Sequence, residues 1–292
     1  MAAFTSAPSV MPKDATPPDR AQATATVPDS ARALRAYPDS HAHLCYVAER
    51  SGAGFLPALN ERYAGSGALI VDPGVDAGDY SARKALLGGY PFVRLAAGIW
   101  PDPSALPDLD AAMAALEVDL RDDACAAVGE CGLDYHWMKS TTALQERLFR
   151  GQAELALRSG KPLIVHSREA FPDTLRICAD YAENIPVIIH CFGYDEDAAL
   201  AFLSRGCYLS FAGNISYKKA DGLRAALART PQERLLLETD APYMNPMPRR
   251  GKDSSPFDIE RSYALAATIK KVGQDELADA VQTLMYALFK AN

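Results

Sequence analysis

Histidine is scarce in this chain, which has five histidines in 292 residues. No apolar run approaches the roughly 18 residues that a membrane-spanning helix needs, so we expect no membrane segment. The six cysteines include no CxxC pair, which argues against a zinc ribbon or a redox dithiol. A chain of this size also does not need a disulfide framework. We therefore expect reduced cysteines and a cytoplasmic protein.

Positive charge is also not in excess. The formal net charge of −7 argues against a protein that coats nucleic acid, although a local basic cleft for one strand end stays possible. A phosphate-binding Walker loop is missing, and Gly88-Gly89 precedes a predicted strand instead of following one. The sequence therefore lacks a dinucleotide-binding fingerprint.

The first 36 residues differ in composition from the rest of the chain. They are rich in Ala, Pro, Thr and Ser, show no periodicity, and lack the apolar core of a secretory signal. We predict a disordered N-terminal extension at 1–36 and a single domain at 37–292.

Short β-branched runs alternate with possible helices throughout this second region. We predict eight strands, at 36–40, 68–73, 92–99, 126–129, 163–166, 187–190, 208–211 and 235–238. The alternation is typical of parallel strands joined by helical crossovers. Eight such units favour a closed (β/α)8 TIM barrel over an open sheet.

Four of the five histidines lie at predicted strand ends. His41 and His43 form an HxH pair, and residues i and i+2 of a strand face the same side. His166 and His190 each close a β-branched run. Neutral imidazole is a common ligand of divalent metals, although each of these residues alone could be a polar group in a loop.

Two carboxylates join the histidines at the same end of the predicted barrel. Glu130 closes the fourth predicted strand and Asp240 closes the eighth. Catalytic groups of parallel barrels gather at the C-terminal strand ends. Four imidazoles and two carboxylates are about the ligand count for two divalent ions bridged by a carboxylate. We predict two ions per chain (Mg, Mn or Zn), with Glu130 and Asp240 as catalytic residues that also bind metal.

The motifs around these residues resemble those of one known family. They are DSHAHL at 39–44, GECGLDY at 129–135, GKPLIVHSREA at 160–170, HCFG at 190–193 and LLETDAPY at 236–243. In order and spacing they are similar to the TatD-type metal-dependent deoxyribonucleases, over about residues 39–289. The resemblance implies a (β/α)8 barrel that hydrolyses phosphodiester bonds in DNA, often from a 3′ end.

The resemblance also implies how the ligands are divided between the ions. One ion would be bound by His41, His43, Glu130 and Asp240. The second would be bound by Glu130, His166 and His190. Asp134 could orient a ligand or serve only a turn, and Glu238 could lie beneath the metals or form a buried ion pair.

The substrate-facing residues depart from the family pattern. Trp100, in Gly98-Ile-Trp-Pro101, stands where the family usually has histidine. An indole offers one donor and a stacking face, so it could stack a base or mark a changed substrate. Ser254 replaces the usual asparagine of Arg-Gly-x-x-Asn-x-Pro.

Two arginines are candidate phosphate ligands. Arg168 could grip a phosphate in bidentate fashion, or pair with Glu169 or Asp173. Arg250 is favoured for substrate contact within a possible basic patch, whose other members are Lys218, Lys219, Arg249 and Lys252.

Three functions compete on this basis. The favoured one is a metal-dependent deoxyribonuclease whose partner is a DNA strand end, with no membrane and no obligate protein partner. The second is an amidohydrolase-like enzyme for a small cyclic amide or ester, which Glu130 disfavours because many such barrels place a modified lysine there. The third is a metal-binding barrel without turnover, which Trp100 favours and the six intact ligands disfavour.

Overall fold

A parallel β-sheet forms the centre of the protein. In the computed structural model, residues 35–102, 108–137 and 142–289 are described, so nearly all of the predicted extension at 1–36 lies outside the described residues. Seven strands within these ranges pair in sequence order, each parallel to the next. They are β1 (Ile70–Asp72), β2 (Val93–Ala97), β3 (Cys125–Asp134), β4 (Leu163–Arg168), β5 (Val187–Ile189), β6 (Tyr208–Phe211) and β7 (Leu235–Leu237).

The first predicted strand, at 36–40, is replaced by a segment that makes only isolated bridges. Asp39 bridges Ile70 beside β1, and Ala42 bridges Ala241 beyond β7. Pro38 has no amide hydrogen and α1 begins at Leu44, which leaves little chain for a regular ladder. The segment nevertheless hydrogen-bonds to both neighbours and so closes the ring, which confirms the TIM-barrel prediction.

Helices connect the strands and cover the outside of the barrel. They are α1 (Leu44–Ser51), α2 (Phe55–Tyr63), α3 (Tyr80–Leu87), α4 (Leu109–Asp119), α5 (Thr142–Ser159), α6 (Phe171–Ala179), α7 (Glu196–Ser204), α8 (Asp221–Arg229), α9 (Ile259–Lys270) and α10 (Gln274–Leu288). Strands of such a barrel are covered on both faces, and β1, β5 and β7 are accordingly fully buried. No helix in the described ranges has the length and apolarity to cross a membrane.

Strand β3 is much longer than the predicted 126–129. Its pairing with β4 advances by three residues on β3, from Val128 to Cys131, while β4 advances by two, from Leu163 to Val165. This irregularity places one extra residue in β3, and Glu130 lies inside it instead of closing the strand. Bulges next to active sites redirect side chains, and here the redirected residue is a predicted ligand.

The cysteines behave as small apolar residues. Five are buried and Cys191 is half-buried, and all six are free thiols. Cys131 directly follows Glu130, but its Sγ lies 3.6 Å from the carbonyl oxygen of Ile164. The predicted reduced state of the cysteines agrees with this arrangement.

Gly132 generates a prediction about stability. It has a φ of +137°, and a Cβ there would overlap the carbonyl oxygen of His166 on β4. Gly132→Ala should therefore lower the free energy of unfolding by about 2–4 kcal/mol, through overpacking and backbone strain. Gly78, at φ +83° with open space around it, provides the control, because alanine there adds strain without a clash. Urea denaturation measures both, and equal losses would contradict the packing argument.

Candidate metal centre

The six predicted ligands meet in one place at the C-terminal ends of the strands. His41 and His43 come from the segment that closes the barrel, and Glu130 from the irregular part of β3. His166 lies on β4, His190 directly follows β5, and Asp240 follows β7. We call these six candidate ligands the metal centre; they are His41, His43, Glu130, His166, His190 and Asp240.

Glu130 lies at the middle of the metal centre. Its Oε2 is 3.2 Å from His41 Nε2 and 3.7 Å from His43 Nε2. Its Oε1 is 3.0 Å from His166 Nδ1 and 2.9 Å from His190 Nε2. The two oxygens of one carboxylate therefore face two different pairs of imidazoles, which is the arrangement of a bridging ligand.

Asp240 completes the first of two ligand sets. Its Oδ1 lies 3.6 Å from His43 Nε2 and 3.9 Å from His41 Nε2. Asp240 has a φ of +54°, in the left-handed region that side chains other than glycine enter at a cost. His41, His43 and Asp240 could hold one metal ion, and Glu130, His166 and His190 could hold another.

The neutral imidazole of His41 is suited to binding a metal ion. Among the described residues, neither of its buried ring nitrogens has a hydrogen-bond partner. Burial, together with the neighbouring His190, lowers the pKa of His41 below its ordinary value. The ring stacks on His190 at 4.0 Å between centroids. A neutral imidazole with an unused lone pair among carboxylates suits a divalent ion.

The carboxylates are held in the ionised form that a metal requires. Burial opposes ionisation of Glu130, but the field of His190 and the close contacts with His166, His190 and His41 hold its pKa well below the usual range. The pKa of Asp240 is likewise lowered against burial, mainly by the hydrogen bond with His43 and the charge on His190. Both groups therefore carry their negative charge at neutral pH.

Asp134 both orients a ligand and stabilises a turn, so the two interpretations of this residue are compatible. Its Oδ2 lies 3.0 Å from His166 Nε2. Its Oδ1 accepts hydrogen bonds from the backbone N–H groups of His136 and Trp137, at 2.9 and 2.8 Å. The contact to Nε2 fixes the proton on that nitrogen and leaves Nδ1 facing Glu130.

Glu238 is buried and pairs with the candidate ligand His190, so the two interpretations of this residue, a position next to the metal centre and a buried ion pair, are compatible. Its Oε1 is 3.4 Å from His190 Nδ1 and accepts a 2.7 Å hydrogen bond from the backbone of Cys191. Its Oε2 accepts a hydrogen bond from Ser210, whose hydroxyl also contacts that of Ser40 at 2.7 Å. This buried network orients the His190 ring from the side opposite Glu130.

Asp39 is a positioning residue that the sequence interpretation missed. Its carboxylate accepts hydrogen bonds from the backbone N–H groups of His41 (3.2 Å) and Thr239 (3.0 Å), and from the Thr239 hydroxyl (2.7 Å). Burial raises its pKa to about 7, against these hydrogen bonds. Asp39 thus joins the two segments that carry His41 and Asp240. Its signal in the sequence is a charged residue inside the strand candidate 36–40, two positions before His41.

The predicted substrate residues lie on the rim of the barrel. Trp100 is half-buried and lies edge-on to His166, at 5.4 Å between ring centroids. The guanidinium of Arg168 lies over the Trp137 ring, at 5.4 Å from its centroid. Arg250 lies over the ring of Tyr217, at 4.3 Å. Contact of these three residues with a substrate stays a prediction.

The acids proposed as partners of Arg168 have other partners. Glu169 lies 2.6 Å from His136 Nδ1. Asp173 pairs with Arg176 at 3.0 Å. These contacts favour a rim position for Arg168 that is stacked on an aromatic ring.

Comparison with known proteins places this geometry in a family. The family model described as TatD related DNase matches residues 38–290. The chain belongs to the TatD family. A metal-dependent hydrolase of Bacillus subtilis, YabD, is 31% identical over 254 residues, covering 87% of this chain and 98% of that protein. A protein of Edwardsiella piscicida named 3′-5′ ssDNA/RNA exonuclease TatD is 38% identical over 197 residues, covering 66% of this chain and 75% of that protein.

A solved structure agrees with the family assignment. The crystal structure of the TatD homologue YjjV from Escherichia coli K12 has a TM-score of 0.79 and 27% identity, covering 88% of this chain and 98% of that one. As a TatD-family member the protein is a metal-dependent hydrolase. Its clustered histidines and carboxylates support the use of divalent metal.

Asp134 provides a test of ligand orientation. In Asp134→Asn the amide oxygen can keep the turn, while its NH2 group donates to His166 Nε2 and moves the ring proton to Nδ1. Metal affinity should then fall by about ten- to a hundredfold, because Nδ1 no longer offers a lone pair. Calorimetric titration of chelator-stripped protein with Zn²⁺ or Mn²⁺ measures the effect. Glu146→Gln is the control, since that half-buried carboxylate pairs with Arg176 on the helical surface.

The thermal midpoint of the metal-free protein separates orientation from folding. We expect the midpoint of Asp134→Asn to stay close to that of the unchanged protein, because the turn is retained. An unchanged affinity in Asp134→Asn would contradict the role assigned to this contact.

Proposed function

We propose that the protein hydrolyses phosphodiester bonds of single-stranded DNA from the 3′ end, using two divalent metal ions. The observation that carries the proposal is the position of Glu130, whose two oxygens face separate imidazole pairs. The family description and the name of the Edwardsiella relative support a nuclease. The free thiols and the absence of a membrane-spanning helix in the described ranges support a cytoplasmic enzyme.

Each residue of the metal centre has a role in this proposal. His41, His43 and Asp240 would hold one ion, His166 and His190 would hold the other, and Glu130 would be shared. The bound ions (Mg, Mn or Zn) would supply an activated water and neutralise charge on the phosphate. The ionised carboxylate of Glu130 would offset the repulsion between the two cations.

Asp240 has a further role at the open side of the centre. Its side chain is 9% exposed, whereas that of Glu130 is 4% exposed, so Asp240 is slightly more accessible to solvent. The pKa of Asp240 is lowered, and the carboxylate is therefore available as a hydrogen-bond acceptor at neutral pH. We assign to its oxygens the orientation of the attacking water towards the phosphorus atom.

The rim residues provide the contacts that a strand end needs. The Trp100 ring lies beside His166, where the base next to the scissile phosphate can stack. Arg168 carries a delocalised charge that suits a phosphate oxygen pair. These two residues would hold the terminal nucleotide while the metal centre acts on its phosphodiester bond.

Substitution of Glu130 tests the proposed reaction. Glu130→Gln should lower the rate of 3′-labelled single-stranded DNA hydrolysis by at least about a hundredfold, because shared metal ligation is worth several kcal/mol. The assay is run with Mg²⁺, Mn²⁺ and Zn²⁺ in turn, and Glu146→Gln is the control. Absence of DNA hydrolysis by the unchanged protein with every metal, while metal is bound, would overturn the proposal. Turnover of a cyclic amide or ester panel would then identify the amidohydrolase-like alternative.

Trp100 generates a separate prediction about specificity. Base–aromatic stacking is worth about 1–3 kcal/mol, so Trp100→His should raise the KM for single-stranded DNA by roughly five- to a hundredfold. Trp100→Phe keeps an aromatic face and should have a smaller effect. Bis(p-nitrophenyl) phosphate lacks a base, and its hydrolysis should change little in either variant. Equal changes with both substrates would show that Trp100 acts on the metal centre and not on the base.

A further inference from the structure

A cavity of about 880 Å³ opens on the rim of the barrel, outside the metal centre. This volume lies within the range of ligand-binding clefts. Its walls come from the loops that follow β5, β6 and β7 and from the first turns of α6, α7 and α8. We call this cavity the strand groove; residues that matter for its chemistry are Phe171, Tyr194, Asp197, Tyr217, Lys218, Lys219 and Arg250.

The strand groove begins next to the metal centre. Gly193 in its wall shortly follows the ligand His190, and Asn214 Nδ2 donates to the Phe192 carbonyl at 3.2 Å. The hydroxyl of Tyr217 donates to the Asn245 carbonyl at 3.2 Å, in the loop that follows the ligand Asp240. Loops that carry ligands at one end therefore carry groove residues further along. A polymer bound at the metal centre could extend directly into this cavity.

One wall of the strand groove is cationic. Lys218 and Lys219 are both exposed and follow one another after β6. Arg250 is also exposed, and its position over Tyr217 fixes its charge at this wall. Three positive charges line one cavity in a chain whose net charge is −7. Such local focusing attracts an anion that the whole surface repels.

Two acidic residues also line the strand groove. Asp195 and Asp197 lie at the start of α7. Asp195 accepts a 3.1 Å hydrogen bond from the backbone of Ala198 and thereby caps the helix. Asp197 is exposed in the first helical turn. The groove thus carries charges of both signs, and we expect a polyanion to follow the three cations and to avoid these carboxylates.

Aromatic rings also line the strand groove. Phe171, Tyr194 and Tyr217 line the cavity and are each only partly buried. Grooves that bind single strands combine a positively charged wall along the backbone with aromatic faces for the bases. The strand groove has both features.

We propose that the strand groove holds the single-stranded polynucleotide on the 5′ side of the scissile bond. Phosphates contact Lys218, Lys219 and Arg250, and bases lie against the partly exposed aromatic rings. This inference rests on the proposed nuclease function and adds a binding track separate from the metal ligands. The track makes affinity depend on strand length and salt, while the chemistry at the metal centre does not depend on it.

The test removes charge from the wall and compares two substrates. Lys218→Gln/Lys219→Gln is made in the full chain, and Arg121→Ala/Arg205→Ala is the matched control. Both control arginines are exposed and precede a strand, so they lie at the opposite end of the barrel while removing the same charge. Equilibrium binding of fluorescent oligonucleotides of increasing length is measured over a range of salt concentrations. Hydrolysis of bis(p-nitrophenyl) phosphate is measured in parallel.

The lysine variant should bind long oligonucleotides on the order of tenfold more weakly at low salt. The slope of its salt dependence should be less steep by about 1.4, since each of the two lost phosphate contacts removes about 0.7 from the slope. Dinucleotide binding and bis(p-nitrophenyl) phosphate hydrolysis should be unchanged. Asp197→Asn should act in the opposite direction and tighten binding of long strands.

Two results would overturn this inference and are distinguishable from failure of the nuclease proposal. If oligonucleotide binding weakens equally in the lysine variant and in the Arg121/Arg205 control, the effect comes from net charge and not from the strand groove. Unchanged DNA binding and hydrolysis in the lysine variant would exclude the track while leaving the nuclease intact. If the nuclease proposal itself is wrong, the unchanged protein will fail to cleave any oligonucleotide.

Discussion

The shared carboxylate of Glu130 is the constraint on which the rest of the site depends. A buried charge is costly unless it is paired, and Glu130 meets imidazoles on both of its oxygens. The irregular pairing of β3 makes this possible, because a regular strand would continue its alternation past Glu130. The local defect in the sheet and the convergence of four histidines are therefore one structural feature, and each would be unfavourable without the other.

Three further carboxylates hold this arrangement in place. Asp134 fixes His166, Glu238 fixes His190, and Asp39 joins the segment of His41 to that of Asp240. Asp39 also lies where the barrel closes, at the bridge to Ile70. The side chain of Asp39 thus serves both the closure of the fold and the orientation of the ligands. Loss of one of these contacts should affect ligand geometry before it affects the barrel as a whole.

The sequence allowed the convergence of the ligands to be predicted because the C-terminal ends of parallel strands meet at one rim. Histidines that end β-branched runs can therefore be expected, from the sequence alone, to lie near one another. The irregularity in β3 was not predictable in this way, since Gly129 and Gly132 interrupt the apolar pattern and the extra residue is visible only against β4. The missing first strand, and the stacking of Arg168 and Arg250 on aromatic rings, likewise depend on neighbours that are distant in sequence.

Trp100, which the sequence suggests is a departure from the family pattern, lies on the rim and not among the candidate ligands. Trp100 contacts His166 ring to ring, and the nitrogens of His166 are already engaged by Glu130 and Asp134. The indole therefore shapes the surface beside the metal centre without replacing a contact that orients a candidate ligand. Groove residues such as Lys218 are similarly carried on loops, whereas Glu130 and His166 are carried on paired strands. Paired strands hold the candidate ligands in place, and loops shape the surface that a substrate meets.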